Sequence, residues 1–131
     1  MYMLDTNIVS DALRNPGGAV AKRIAKIPND TICVSIVVAA ELRFGAIKRA
    51  SRTLTHLVEG FLQRTAVQPF AAPADKLYAD LRLALEKAGT PISANDMLIA
   101  AHALALGATL VTDNEREFAR IKSLKIENWL R

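Results

Sequence analysis

The sequence predicts an α/β fold: a parallel β-sheet covered by helices on both faces. Short apolar segments rich in β-branched residues alternate with segments of helical period along the whole chain. This alternation is typical of a parallel sheet. No internal repeat, low-complexity segment or interdomain linker interrupts it. A length of 131 residues suits one domain with its own core, and we expect one domain over residues 1–131.

The first half of the chain is expected to contain two strands and four helices. Asn15-Pro16-Gly17-Gly18 breaks the first helix, Pro28 ends the second, and Ser35 is suited to cap the third. The third and fourth helices follow each other so closely that they should form an antiparallel hairpin. The expected strands cover residues 2–4 and 31–34, and the helices about residues 8–13, 20–27, 36–50 and 51–65.

The second half is expected to contain three strands and three helices. Pro73 begins a long amphipathic helix that Gly89 ends, and Ser93 and Gly107 bound the next helix in the same way. Pro69 weakens the strand in which it lies. The expected strands cover residues 67–71, 109–112 and 125–129, the last at an edge, and the helices residues 73–88, 94–106 and 115–121.

Charge and hydropathy indicate the kind of partner. Lys and Arg number 17 against 13 Asp and Glu, so the net charge is +4 and the pI about 9.5. This balance suits a polyanion, although the basic residues are scattered and most are explained as solvated helix faces. The mean hydropathy of +0.17 is high for a small domain and favours an apolar surface that a partner covers.

Cysteine usage and apolar segments indicate the compartment. Cys33 is the single cysteine and lies in an apolar run, so no disulfide framework exists and a reducing cytoplasm is the natural location. The longest nearly apolar stretch, residues 97–109, is too short to span a bilayer. No signal-peptide pattern opens the sequence. We therefore expect a soluble, cytoplasmic protein without a membrane partner.

Four acidic residues are candidates for a functional site. Ligands of an open parallel sheet bind outside the carboxyl ends of its strands. Asp5 and Asp113 directly follow predicted strands, Glu41 lies in the helix after the second strand, and Asp96 opens a later helix. These acids come from widely separated stretches and are expected to converge at one edge of the sheet.

Each acid also has a structural explanation. Asp5 and Asp113 are suited to cap helices or form turns, and Ser93 with Asp96 forms a capping-box pattern. Glu41 is harder to explain, because it lies in an apolar stretch with no basic residue one turn before it. A lone carboxylate buried there costs on the order of several kcal/mol unless it is paired or binds metal.

The residue types favour magnesium or manganese over other chemistries. Converging carboxylates repel one another, and an all-oxygen site suits these hard cations rather than zinc. His56 and His102 lack the spacing of metal ligands, and Pro16-Gly17-Gly18 lacks the Lys-Ser/Thr of a phosphate-binding loop. Ser35 has no histidine near it in sequence, which argues against nucleophilic catalysis.

With these acids in place, the chain resembles the PIN-domain ribonucleases, and more narrowly the VapC-type toxins of bacterial toxin–antitoxin pairs. The resemblance extends over nearly the whole chain in family order. The segments that carry it are Met3-Leu4-Asp5-Thr6-Asn7, Ala40-Glu41-Leu42-Arg43-Phe44-Gly45-Ala46, Ile92-Ser93-Ala94-Asn95-Asp96-Met97-Leu98-Ile99-Ala100-Ala101-His102, and Leu110-Val111-Thr112-Asp113-Asn114 through Arg116-Glu117-Phe118.

The resemblance implies a five-stranded parallel sheet, metal-dependent hydrolysis of RNA phosphodiesters, a homodimer, and inhibition by a small cognate antitoxin. Asp5, Glu41 and Asp96 match the family's three core acids, and Asp113 matches a fourth, a role that Asn114 could share. All four acids would hold Mg²⁺ or Mn²⁺, which would activate a water molecule for in-line attack. Hydrogen bonds to the acids are expected from Thr6, Asn7 and Thr112.

Three other classes of protein fit the sequence less well. A phosphotransfer receiver needs paired acids after its first strand and an aspartate after its third, but Asp5 stands alone and residues 67–71 end without an acid. A haloacid-dehalogenase-like phosphatase needs Asp-x-Asp, whereas the sequence has Asp5-Thr6-Asn7. A catalytically inactive interaction module is disfavoured by the complete set of acids. A metal titration would distinguish such a module from a metal-dependent enzyme.

Overall fold

The computed structural model describes all 131 residues and contains one parallel five-stranded sheet. The strand order is β3-β2-β1-β4-β5, so β1 is central. This confirms the expected α/β class and the strand number that the family resemblance implied. The strands are β1 (Tyr2–Leu4), β2 (Ile32–Ser35), β3 (Ala66–Gln68), β4 (Thr109–Val111) and β5 (Ile126–Glu127).

Seven α-helices connect the strands, each near its predicted position. The antiparallel hairpin of α3 and α4 is confirmed: only Ala50 and Ser51 join the two helices, and Arg43 of α3 forms an ion pair with Glu59 of α4 at 2.9 Å. The helices are α1 (Thr6–Arg14), α2 (Ala19–Lys26), α3 (Ile36–Arg49), α4 (Arg52–Arg64), α5 (Ala74–Ala88), α6 (Ala94–Leu106) and α7 (Glu115–Phe118).

Local chemistry accounts for most helix ends. Ser35, Ser51 and Ser93 each cap a helix by accepting a hydrogen bond from a backbone N–H of its first turn. Gly89 and Gly107 end α5 and α6 with φ angles of 71° and 63°, in the left-handed region that favours glycine. All but Ser51 lie where the sequence predicted them; Ser51 was expected to be the first residue of its helix.

Three elements end at least two residues before their predicted ends. Strand β3 ends at Gln68, immediately before Pro69, whose missing N–H cannot donate to the ladder. Helix α7 ends at Phe118 and continues as tight turns, in which Arg120 and Ile121 donate to carbonyls three residues back. Strand β5 is reduced to Ile126–Glu127 at the sheet edge.

The core lies on both faces of the sheet. Consecutive residues of the central strands are fully buried, including Met3 and Leu4 of β1 and Leu110 and Val111 of β4. Burial of both side-chain directions requires helices on both faces, as expected for a parallel sheet. None of these helices could span a bilayer, since each is too short or too polar.

Candidate active site

Asp5 is the most deeply placed of the candidate acids. Only 4% of it is exposed, and it caps α1 directly after β1. Its Oδ1 accepts a hydrogen bond of 2.8 Å from the Thr6 amide, and its Oδ2 accepts one of 2.7 Å from Thr112 Oγ1. Burial raises the pKa of Asp5 to about 6. The hydrogen bonds from Thr112 and Thr6 oppose this shift, and the charges of Asp96 and Glu41 add to it.

Glu41 lies beside Asp5 but is only half-buried. The burial suggested by its apolar sequence neighbours is only partial, because Glu41 borders the outward-facing side of α3, where Phe44, one turn further on, is 64% exposed. Glu41 Oε1 accepts a hydrogen bond of 2.5 Å from Thr6 Oγ1, and Oε2 accepts one of 3.3 Å from Asn95 Nδ2. Thr6 therefore connects two of the predicted acids, through its amide to one and its hydroxyl to the other.

Asp96 completes the group of three from the first turn of α6. Its amide donates to Ser93 Oγ at 3.2 Å, as the capping pattern predicted, and its Oδ2 accepts from Asn114 Nδ2 at 3.3 Å. Partial burial raises the pKa of Asp96, and hydrogen bonds from Ser93 and Asn114 lower it. The charges of Glu117 and Glu41 raise it further. Asp96 therefore lies in the negative electrostatic potential of its neighbouring carboxylates.

Asp113 is placed differently from the other three acids. It is exposed, and its Oδ1 accepts a hydrogen bond of 3.0 Å from Asn128 Nδ2. Its amide donates to Asn7 Oδ1 at 3.2 Å, so Asn7 supports the loop rather than an acid. No hydrogen bond joins Asp113 to Asp5, Glu41 or Asp96.

Asn114 and Glu117 lie beside Asp96, at the position expected of a fourth site residue. Asn114 Nδ2 donates to both Asp96 Oδ2 and Glu117 Oε2, at 3.3 and 3.2 Å. Sequence reasoning named Asn114 only as an alternative and gave no role to Glu117. Their spacing of three residues, which puts both on one side of a helix, was the available signal.

The acids converge without forming a closed ligand cage. No three His, Cys, Asp or Glu side chains stand close enough together to hold a metal ion as they are placed. A hydroxyl and an amide lie among them, from Thr6 and Asn114. The carboxylates nevertheless interact electrostatically, since the charge of Glu41 raises the pKa of both Asp5 and Asp96.

One contact was missed by the sequence analysis. Ser35 does have a histidine partner: its Oγ lies 2.7 Å from His102 Nδ1, although 67 residues separate them in sequence. Both residues are buried, and the other ring nitrogen of His102, Nε2, has no hydrogen-bond partner, so no carboxylate orients the histidine as in a catalytic triad. It joins α6 to the end of β2 within the core.

A comparison with protein families identifies this architecture. The profile described as "PIN domain" matches residues 2–124, most of the chain. The chain belongs to the PIN-domain family. The group of acids at the carboxyl ends of the strands is therefore the candidate active site of this PIN domain.

Known proteins resemble this PIN domain over nearly its full length. "Ribonuclease VapC2" of Rickettsia felis is 40% identical, with 98% of each chain covered. "tRNA(fMet)-specific endonuclease VapC" of Shigella flexneri is 35% identical, with 98% of this chain and 97% of the relative covered. The solved structure of VapBC2 from Rickettsia felis, bound to a DNA fragment from their promoter, matches with a TM-score of 0.89 at 38% identity, covering 98% of both chains.

Proposed function

We propose that this PIN domain is an endoribonuclease that hydrolyses RNA phosphodiester bonds with Mg²⁺ or Mn²⁺, and that it is the toxin of a toxin–antitoxin pair. The observation that carries the proposal is the convergence of Asp5, Glu41 and Asp96, three acids from separate segments, at one end of the sheet. The ribonuclease names of its relatives support the same activity.

The donor set suits a hard divalent cation. Carboxylate oxygens dominate, and no histidine or cysteine lies among them, which favours Mg²⁺ or Mn²⁺ over zinc. The mutual repulsion of the acids is what a bound cation would relieve. Asp5 and Asp96 would be the principal ligands, with Glu41 and a fourth residue, Asp113 or Asn114, completing the site. When bound, the cation would polarise the phosphate and make a bound water molecule more acidic.

The chain's own residues position the acids for this reaction. Thr112 and Thr6 donate to opposite oxygens of Asp5 and hold its carboxylate in one orientation. Hydrogen bonds from Thr6 and Asn95 restrain Glu41, and its partial exposure leaves it suited to orient an attacking water. The overall charge of +4 would attract RNA towards a locally repulsive pocket.

A cognate antitoxin is the proposed protein partner, in keeping with the VapBC2 assembly of the Rickettsia felis relative. We expect it to insert a chain segment beside Asp5 and Asp96, with an arginine or lysine that takes the place of the metal's charge. A cognate complex in which both acids stay open to solvent and metal would contradict this expectation.

A homodimer is proposed from an apolar stripe on α3. Ile36, Phe44 and Ile47 are 42%, 64% and 74% exposed, and they lie on one side of the helix at spacings of eight and three residues. Exposed apolar residues grouped in this way are typical of a protein interface.

The cytoplasmic location stays an expectation drawn from the single cysteine.

The deciding experiment is a cleavage assay with purified protein, freed of antitoxin. We expect cleavage of RNA with Mg²⁺ or Mn²⁺ and none in EDTA. The RNAs to be tested include tRNA(fMet), because the Shigella flexneri relative is named for it. Undiminished cleavage in EDTA would refute the metal requirement. Intact RNA under all metal conditions, without any metal-dependent shift in unfolding temperature, would favour the catalytically inactive interaction module. Sequencing RNA ends after brief induced expression would identify the target.

A further inference from the structure

A pocket of about 360 Å³ opens beside the acidic site, between α1 and the α3–α4 hairpin. Thr6 and Glu41, which are hydrogen-bonded to each other, line it together with Arg14 and Arg49. Arg14 follows Thr6 by eight residues on α1, and Arg49 follows Glu41 by eight on α3. Each arginine therefore starts from a backbone position roughly 12 Å along its helix from the acidic site. We call this the arginine pocket.

Both arginines of the arginine pocket have hydrogen-bonding capacity to spare. Neither belongs to an ion pair of the protein. Arg14 Nε donates only to the Ser10 carbonyl, at 3.3 Å, and the Arg49 side chain donates to no protein atom. A guanidinium carries five N–H donors in a planar fork that suits the oxygens of a phosphate. The pocket therefore offers two free anion-binding groups.

Gly45 in the wall of the arginine pocket is unexplained by the fold. It lies inside α3, where glycine is a poor helix former, and its φ is not positive. A Cβ placed on it would meet no other group of the protein within 4 Å. Neither backbone conformation nor internal packing requires glycine there. Its missing side chain keeps open a space that borders the pocket.

We propose that the arginine pocket binds the RNA strand beside the cleavage point, with Arg14 and Arg49 on a phosphate that neighbours the scissile one. The inference rests on the proposed ribonuclease function. An acidic site repels RNA, so cationic groups nearby are needed to hold the strand in register. Gly45 allows the strand to approach the backbone of α3 closely. A segment of a protein partner could also enter this space, but two unpaired guanidinium groups favour a polyanion.

The test measures RNA binding without turnover. In an Asp96→Asn background, the affinity for a short fluorescein-labelled single-stranded RNA is measured by anisotropy over a range of salt concentrations. We expect Arg14→Gln and Arg49→Gln each to weaken binding on the order of tenfold at low salt, and to reduce the slope of log affinity against log salt by about 0.7. Arg64→Gln, at the far end of α4, removes the same charge outside the pocket and should change neither quantity.

Gly45→Ala separates the pocket from the fold. Alanine should raise the unfolding temperature by about 3 °C and still weaken RNA binding several-fold, because its methyl group enters the pocket. Gly60→Ala, within α4 and away from the pocket, is the control and should leave RNA binding unchanged; its Cβ would lie 3.2 Å from the Arg64 guanidinium, the end of a flexible side chain that can move aside.

Two results would overturn the inference while the ribonuclease function stands. One is unchanged RNA affinity and salt slope in both arginine variants of a protein that cleaves RNA in its unmutated form. The other is loss of antitoxin binding alone, which would assign the pocket to the protein partner. Failure of the unmutated protein to bind or cleave RNA would instead reject the proposed function, and this inference with it.

Discussion

Thr112 Oγ1 donates a buried hydrogen bond of 2.7 Å to Asp5 Oδ2, and so ties the end of β4 to the end of β1. The two residues are 107 positions apart in sequence. They meet because β1 and β4 pair in parallel, with Leu4 opposite Val111. The bond favours the charged form of Asp5 against the effect of burial. The neighbouring strand thus helps to keep this carboxylate ionised.

Thr112→Val tests this contact. Valine has nearly the same shape but no donor, so one oxygen of Asp5 loses its partner in a buried place. We expect cleavage to fall about 10- to 100-fold and stability to drop by about 1–3 kcal/mol, measured by RNA cleavage and urea unfolding. Thr112→Ser keeps the hydroxyl and should stay near the unmutated protein. Full activity of Thr112→Val would show that Thr112 does not position Asp5 for catalysis.

Asp5→Asn and Asp96→Asn separate catalysis from folding. At Asp5, which caps α1, asparagine caps about as well as aspartate. At Asp96 the cap is Ser93, which the substitution leaves in place. Both substitutions remove a carboxylate charge from the cluster. We expect both variants to lose cleavage, to be at least as stable as the unmutated protein in EDTA at pH 7, and to gain less stability from Mg²⁺. Thermal unfolding with EDTA and with Mg²⁺, beside a cleavage assay, measures all three effects.

The pH dependence in EDTA gives a further check on Asp5. Its pKa in the folded protein is about 6, above the ordinary 3.8. The folded state therefore binds the proton more tightly, and this residue's contribution to stability is lost as the pH rises from about 4 to 6. Asp5→Asn should remove that loss, whereas the exposed Asp30→Asn should not.

Retained cleavage in both Asp5→Asn and Asp96→Asn would refute the catalytic assignment. Marked instability of these variants in EDTA would mean that the acids stabilise the fold.

The fourth site residue can be identified by comparing Glu117→Gln with Asp113→Asn. Glu117 shares the Asn114 amide with Asp96, whereas the Asp113 carboxylate is bonded to Asn128. We expect Glu117→Gln to reduce both cleavage and stabilisation by Mg²⁺, and Asp113→Asn to reduce them less. The same two assays measure the effects. A larger loss with Asp113→Asn than with Glu117→Gln would identify Asp113 as the fourth site residue, as the family resemblance implied.

His102 should make stability depend on pH. Burial lowers its pKa below the ordinary 6.5; the Pro69 carbonyl opposes the shift, although Nε2 forms no hydrogen bond of good geometry. The unfolded state therefore takes up the proton first, and this residue's contribution to stability is complete above about pH 6.5 and lost as the pH falls towards the lower folded pKa. His102→Gln cannot titrate, so its stability should fall less than that of the unmutated protein from pH 7 to 5. Parallel curves in urea unfolding would contradict this.

The apolar stripe on α3 predicts the oligomeric state. Phe44→Glu places a charge in the middle of the proposed interface, and we expect it to convert a dimer into a monomer at micromolar concentration, measured by sedimentation. Leu83→Glu is the control, because Leu83 is 52% exposed on α5, outside the stripe. A monomeric unmutated protein would reject the homodimer, and dissociation by Leu83→Glu alone would move the interface to α5.

Local pattern alone was enough to predict the order of strands and helices, most helix caps, and the grouping of Asp5, Glu41 and Asp96. This succeeded because periodicity and capping depend on neighbours a few residues apart, and because parallel strands bring their carboxyl ends to one edge. The motif around Asp113 and Asn114 also indicated the family, but not which of the two side chains faces the acids.

That choice was made only by the tertiary structure. The pairing of β4 with β1 places Thr112 beside Asp5, and the chain beyond it turns so that Asn114 faces Asp96 while Asp113 faces Asn128. The partial exposure of Glu41 and the contact between Ser35 and His102 arise in the same way. Each depends on how segments distant in sequence pack together, and the residues near each position in sequence carry no information about that packing.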